Sequence, residues 1–334
     1  MEIKKVSMKE HSSLRVGGEG DLVVVKSEEE LKEAVAHAAA SGRRVHILGQ
    51  GTNTYFAEDL SKYLFIKPDF RGIECNLLQA TIYELTAASG ESFDDVVNFS
   101  VENNLWGIEN LSRIPGSVGA APVQNVGAYG SELKDTFISA RVFDIEENSF
   151  KDLLNEECNF GYRDSLFKNN PGKYVIVSIV LNLSKEFKPV LDYKPLDTLI
   201  GKENLTPKDV RDLVIATRLA KLPDWKKFPN TGSFFKNIVI TKDALEALKV
   251  NYPNIPVNEV TGGYKVPSAW LIEHVAEAKG LKVGDIGTWE KQPLVIVNYG
   301  NATAEEINAF ASEIQKKVEE KTGIKLEREV NFIS

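Results

Sequence analysis

The amino-acid sequence predicts an α+β protein with at least two structural units. Capped helical segments stand near the N-terminus and through the C-terminal third, a strand-rich stretch fills the middle, and no repeat or low-complexity linker intervenes. At 334 residues the chain is long for one hydrophobic core, so roughly two or three domains are expected.

The elements follow in order. DLVVVKS (21–27) reads as a strand ending at Ser27, and Ser27 with Glu30 forms a capping-box signature. Leu31, Ala34, Val35 and Ala38 recur at helical spacing up to Gly42, and RVHIL (44–48) is a second strand, which makes a β-α-β pattern. LFIKP (64–68), QATIYELTAASG (79–90), FISARVFDI (137–145) and YVIVSIVLNL (174–183) carry the β-branched and aromatic residues of strands. A short helix is expected over 93–103, started by the Ser92–Asp95 pair. Helices follow over 206–224 (Thr206 cap, Pro207, Asp209), after Thr241, over 268–280 and over 303–322 (Thr303 with Glu306). The stripe Ile307, Phe310, Ile314 and Val318 is the buried face of the last one. PLVIVN (293–298) is a strand. IKLEREVNFIS (324–334) is expected as an alternating strand, with Leu326, Arg328, Val330 and Phe332 on one face and Glu327, Glu329 and Asn331 on the other.

Composition narrows the function. A net charge of −8 leaves no broad basic field for nucleic acid, though a few local cations suffice for an anionic small ligand. Cys75 and Cys158 form no CxxC, and His11, His37, His46 and His274 show no ligand spacing, so neither a disulfide framework nor a metal site is expected. The first residues lack the apolar core of a signal peptide, and no run of 18 apolar residues occurs; the expectation is a cytoplasmic protein with no membrane partner.

Two segments are shaped for backbone contact. GQGTN (49–53) follows a strand directly, where glycines let amide groups approach an anion; a plain tight turn is the competing reading. It is neither a GxGxxG fingerprint nor a P-loop. IPGSVGAAPVQNVGAYGSEL (114–133) holds Gly116, Gly119, Gly127 and Gly130 with Pro115 and Pro122, so it forms no regular element and reads as a packed, functional loop. In GSFFKN (232–237), Ser233 is either a turn residue before a strand or a hydroxyl at the wall of a dry pocket, and its two phenylalanines are either water-excluding walls or plain core.

LGQGTN, the 114–133 loop, GYRDSLFK (161–168), GSFFKN, SAWLIE and LEREV occur in this order over nearly the whole chain. The set resembles the UDP-N-acetylenolpyruvoylglucosamine reductase family of peptidoglycan synthesis. The resemblance implies an FAD-binding portion of the vanillyl-alcohol-oxidase type in two subdomains (1–67 and 68–205), followed by a C-terminal α+β substrate-binding domain (206–323). The terminal strand, 324–334, would return to the active site. Gly49, Gly51, Thr52 and Asn53 would hold the flavin pyrophosphate. Pro115, Gly116, Gly119, Gln124, Asn125 and Gly127 would line the ring and ribityl chain.

The reaction so implied is NADPH-dependent, FAD-mediated reduction of UDP-N-acetylglucosamine enolpyruvate to UDP-N-acetylmuramate, by a monomer acting on small molecules. Ser233 matches the proton donor. Arg163 matches the arginine that pairs with the substrate carboxylate, and Glu329 the active-site glutamate, whether as a protonated donor or as an ionised partner of Arg163. Tyr193, Lys221, Asn237 and Gln292 match residues that grip the diphosphate and uridine; a solvated charge at a helix end is the alternative for Lys221. Two departures stand out: Ala120-Ala121, where many relatives carry serines, and Pro267 with Ala269 ahead of WLIE. The competing functions are another FAD-dependent oxidase on the same scaffold and a non-catalytic UDP-sugar-binding protein.

Overall fold

The Ser27 hydroxyl accepts from the Glu30 amide (3.2 Å) while the Glu30 carboxylate accepts from the Lys26 amide (2.7 Å), and this local chemistry starts the helix Glu28–Ala40. The helix buries the expected stripe of Leu31, Ala34, Val35 and Ala38. In the computed structural model, which describes residues 1–334, the strands on either side of it belong to a four-stranded sheet. Its order is Ile3–Ser7, Glu19–Val25, Asp59–Pro68, Arg44–Ile47. The strand–helix–strand unit therefore does not close on itself: Asp59–Pro68 lies between its strands and pairs parallel with Arg44–Ile47. The edge strand Ile3–Ser7 is not announced by the sequence pattern, because exposed Lys4 and Lys5 interrupt any alternation. His46 sits on Arg44–Ile47 edge-on to Phe65, and burial pushes its pKa down to about 4, so at neutral pH it is an uncharged packing residue.

The chain divides into two units. Unit 1 comprises Met1–Val6, Gly20–Gln50 and Ser61–Ala220; unit 2 comprises Ser7–Glu19, Gly51–Leu60 and Lys221–Ser334. The centre of unit 1 is an antiparallel sheet in the order Ser149–Leu154, Phe137–Asp144, Tyr174–Ser184, Ile82–Ala88, Ile73–Gln79. The expected strand over 79–90 is present as Ile82–Ala88; only its first residues differ, because Ala80 takes φ 48° and turns the chain, so that Ile73–Gln79 and Ile82–Ala88 form a hairpin. Helix Phe93–Glu102 covers this sheet, but its expected Ser92–Asp95 box does not form. The Ser92 side chain caps nothing, and the Ser92 backbone bridges Ser117 of the 114–133 loop. Asp94 anchors the first turn instead, accepting from Arg211 Nη1 (2.7 Å) and from the Arg113 amide (2.5 Å). The 114–133 loop packs as 3-10 turns over Val118–Gln124, with Val118, Ala121 and Pro122 buried, followed by the short pair Gly127–Ala128 and Ser131–Glu132. Helix Pro207–Lys221 starts as expected, with Thr206 and Asp209 bonded reciprocally.

Unit 2 combines a sheet in the order Asn230–Ser233, Gln292–Asn298, Ile286–Trp289, Lys282–Val283 with a second one in the order Ile238–Ile240, Gly263–Val266, Asn258–Val260. Helix Ala304–Thr322 opens on the reciprocal Thr303–Glu306 box and buries Ile307, Phe310, Ile314 and Val318. Phe234 and Phe235 are fully buried members of the same core, which settles their role as packing residues. Two expectations are corrected. The helix over 268–280 ends at His274, where the Val275 and Ala276 amides both turn back to the Leu271 carbonyl and Glu277 takes φ 55°. The terminal segment is a strand only over Asn331–Ile333, parallel to Thr54–Phe56. Its alternation of burial holds through Leu326 and Val330 and then slips at Phe332, whose ring stacks on Tyr55 at 4.9 Å. No helix is long and apolar enough to cross a membrane.

The Thr303 box yields a direct test. Thr303→Ala is expected to lower unfolding free energy by about 1 kcal/mol in a urea melt; an unchanged midpoint would mean that the helix is held by its buried stripe alone.

Candidate functional site

In unit 1 the two glycine segments meet. A Cβ on Gly49 would lie 2.9 Å from Ser117 Oγ and 3.1 Å from Ala120 Cβ, and one on Gly119 would lie 2.7 Å from Ser89 Cβ. These contacts leave room for backbone only. The Ser89 hydroxyl beside Gly119 is buried and has no hydrogen-bond partner. An unsatisfied buried hydroxyl costs about 1–3 kcal/mol, so a polar ligand atom suits this place. A tight backbone cradle with an orphaned hydroxyl fits a flavin nucleotide. Gly116 takes φ 134° and its carbonyl accepts from the Phe93 amide (3.0 Å), while Pro115 next to it is exposed. Gln124 closes the 3-10 turns and is half-buried.

Asn125 is fully buried at φ 44°, with its side chain bonded into the protein. Its Nδ2 donates to Glu132 Oε2 (3.1 Å) and to the Gly161 carbonyl (3.0 Å), and its Oδ1 accepts from the Lys134 amide (3.0 Å). It thereby ties the glycine loop to the turn that presents Arg163. Gly161 and Asp164 bridge each other across that turn, and Arg163 takes φ 54°, a left-handed conformation that costs about 1–3 kcal/mol for a side chain of this kind. Arg163 Nη2 donates to the Gly127 carbonyl (2.7 Å), and a Cβ on Gly127 would come within 3.2 Å of Nη1. The guanidinium also lies 5.4 Å from the Tyr162 ring centroid. The strained turn thus holds a planar cation beside the loop.

In unit 2, Gly51 takes φ 66° against the His11 carbonyl, where a Cβ would fall 1.8 Å away, so only glycine fits. Asn53 Nδ2 donates to the Glu329 carbonyl (3.3 Å), and the Asn53 carbonyl accepts from the Asn331 amide (3.0 Å). Thr52, between them, is half-buried. Ser233 ends the strand Asn230–Ser233, whose pairing with Gln292–Asn298 shifts register between Asn230 and Ser233. Gly232 at φ 73° makes this irregularity possible, and bulges of this kind re-aim the side chain that follows. The glycine before Ser233 is thus a conformational requirement. Two residues further, the Glu329 amide donates to the Phe234 carbonyl (2.9 Å) and the Lys236 amide to the Glu327 carbonyl (2.9 Å). Ser233 and Glu329 therefore sit on adjoining, hydrogen-bonded segments.

The remaining residues are more scattered. Tyr193 is exposed and meets Tyr129 edge-on at 6.0 Å in unit 1. Lys221 is exposed at the end of its helix. Asn237 Oδ1 accepts from the Ser268 amide (3.0 Å), and Gln292 begins a strand beside Trp289. Two residues in unit 1 emerge only from geometry. Arg218, one helical turn before Lys221, has an Nε that is shielded from solvent without a partner, and burial lowers its pKa. Asn110 is buried, and its Nδ2 donates both to the Tyr129 carbonyl (2.8 Å) and to the Val190 carbonyl (2.9 Å), pinning the Tyr193 segment to the glycine loop. Its neighbour Glu109 is pushed above the usual carboxylate range by burial, partly offset by the Gly107 amide (2.7 Å). A pattern of charge next to a periodic stripe (Arg218 on 207–221) was the only sequence signal for either residue.

Comparison with known proteins shows the family. The FAD binding domain model matches residues 21–148, and the model of the UDP-N-acetylenolpyruvoylglucosamine reductase C-terminal domain matches residues 224–333. The chain is 40% identical to the UDP-N-acetylenolpyruvoylglucosamine reductase of Flavobacterium johnsoniae, over the full length of both. It belongs to the UDP-N-acetylenolpyruvoylglucosamine reductase family. The Aliivibrio fischeri reductase is 38% identical, with 98% of this chain and 93% of that one covered. The crystal structure of the Thermus caldophilus reductase superposes with a TM-score of 0.70 at 23% identity, covering all of both chains, and so shares the fold. As a member of the reductase family, the chain is an FAD-dependent oxidoreductase that reduces enolpyruvyl-UDP-N-acetylglucosamine.

The close approach at Gly119 predicts that Gly119→Ala forces Ser89 aside. The variant should purify with at least about tenfold weaker FAD retention, read from the ratio of flavin to protein absorbance, while far-ultraviolet circular dichroism stays native. Unchanged flavin content would remove the cradle from the cofactor site.

Proposed function

We propose that NADPH is the hydride source of this reductase and that Ser233, Arg163 and Glu329 carry the proton and charge chemistry of the enolpyruvyl reduction. FAD, when bound, would supply two-electron hydride chemistry between the nicotinamide and the enolpyruvyl double bond. The residues 49–53 and 114–127 hold that group through backbone, and the sugar nucleotide is gripped by Tyr193, Lys221, Asn237 and Gln292, with Arg218 as a further cation. In functional terms 1–67 and 68–205 serve the flavin, 206–323 serves the substrate, and 324–334 brings Glu329 to the reaction.

The chain's own task is the proton. Once the methylene carbon of the enolpyruvyl group has gained hydride, the adjacent carbon becomes strongly basic, with charge spread onto its carboxylate. Ser233 Oγ gives its proton to that carbon. A serine hydroxyl is a weak acid in water, but toward a carbanion it needs mainly to be well aimed, and such general acid catalysis is worth about 10²–10⁴-fold. The Arg163 guanidinium matches the planar, delocalised charge of the intermediate carboxylate, and stabilisation of developing charge is commonly the largest catalytic term. Glu329 completes the set from the segment bonded to Phe234. The observation that supports this reading most is the bulge at Gly232, which turns Ser233 beside the Glu329 segment. The enzyme acts in the cytoplasm as a monomer on small molecules.

Stopped-flow absorbance under anaerobic conditions tests the assignment. Ser233→Ala is expected to leave reduction of the flavin by NADPH unchanged and to slow its reoxidation by UDP-N-acetylglucosamine enolpyruvate by about 10²–10⁴-fold. Equal losses in both halves would show a damaged pocket and reject the proton-donor role.

A further inference from the structure

We infer that Arg328 is a positioning residue for Glu329, acting by a four-bond clamp on the helix Ala304–Thr322. Arg328 Nε donates to Gln315 Oε1 (3.1 Å), Nη1 to Asn308 Oδ1, and Nη2 to both the Asn308 carbonyl (3.1 Å) and Ser312 Oγ (2.7 Å). Residues 308, 312 and 315 are four and three apart, so they share one face of the helix and offer a fixed row of acceptors. All four acceptors are neutral. The guanidinium is therefore bound by geometry, through a planar fork that a lysine does not have.

The clamp reaches the site through the backbone. Leu326 and Val330 are buried and Arg328 faces the helix with them, which leaves Glu329 and Glu327 to the opposite face of the extended segment. Each neighbour of the clamp is itself tied. Gln315 Nε2 donates to the Leu326 carbonyl (2.7 Å), and Tyr55 OH donates to the same Asn308 Oδ1 that Nη1 uses (2.7 Å). Tyr55 lies on the strand that pairs with Asn331–Ile333, and its ring stacks on Phe332. The Phe235–Arg328 bridge and the Asn53–Glu329 bond close the frame on the other side. Glu329 is thus held between the Arg328 clamp one residue before it and the Asn331 pairing two residues after it, and the clamp fixes the direction in which its carboxylate is presented.

The inference rests on the proposed role of Glu329, and the experiment separates the two. In the full-length holoenzyme, Glu329→Gln should slow flavin reoxidation by the enolpyruvyl substrate by about 100-fold. Arg328→Gln should slow it about tenfold while reduction by NADPH stays within about twofold, and the double variant should be no slower than Glu329→Gln alone. Arg328→Lys should behave like Arg328→Gln, because charge without the fork does not restore the clamp. In the flavin-free protein, the Glu329 and Asn331 amides should exchange hydrogen faster in Arg328→Gln, with the helix core unchanged. Should Arg328→Gln fail to fold, Gln315→Leu, which removes one acceptor of the clamp together with the donor to the Leu326 carbonyl, provides the same two readouts. Fully multiplicative effects in the double variant, or equal slowing of both half-reactions, would assign Arg328 to fold stability and overturn the inference. Normal reoxidation in Glu329→Gln would overturn the Glu329 role, and the positioning role with it, whatever the exchange data show.

Discussion

The arrangement of the glycine loop and the serine strand in unit 2 depends on how residues 327–331 are bonded. The Glu329 amide goes to Phe234, the Asn331 amide to Asn53, and the Glu327 carbonyl accepts from Lys236. Those bonds join the glycine loop, the serine strand and the terminal segment, three pieces far apart in sequence. None of them uses a side chain that carries chemistry. Backbone pairing of this kind is satisfied only in one register, so the relative placement of Asn53, Ser233 and Glu329 is a by-product of closing the sheet. The side chains on these segments are then free to be polar and partly exposed without having to hold the structure.

Unit 1 solves the matching problem differently. Its loop has no continuous ladder, and order comes from buried amides. Asn125 ties residues 132, 134 and 161 together, and Asn110 ties 129 to 190. One side chain with several partners replaces a strand's worth of backbone bonds, which is economical where glycine must keep the surface clear. It also explains why a strained arginine at 163 persists: its turn is over-determined by bonds on both flanks.

Local chemistry was legible in the sequence. The caps at Ser27, Thr206, Thr241 and Thr303 act as read, because a cap depends on residues three apart. Ser92 shows the limit: its helix forms, but its side chain does not cap it, and its backbone bridges Ser117 of the distant glycine-rich loop. The hairpin strand Ile73–Gln79 was hidden because IECNLLQ is mostly exposed and lacks alternation. The terminal alternation described facing correctly as far as Val330 but said nothing about pairing. The six motifs that carry the family were readable as strings; the contacts that explain them were not, because Gly119 against Ser89 and Asn53 against Glu329 join residues that no spacing relates.

The order of segments has a consequence for how the molecule is made. Unit 2 is begun at residues 7–19 and 51–60, left unfinished for the whole of residues 61–220, and completed only by residues 221–334. The Asn53–Glu329 bond spans 276 positions. Contacts of such separation are slow to form, because the chain loses its freedom before they are rewarded. Unit 1, dominated by hairpins, can fold early as an insert, whereas Gly51–Leu60 must wait with its glycine loop unpaired until the C-terminal third arrives. On this ordering the pairing that brings residue 329 beside the serine strand forms late, after the C-terminal third has arrived.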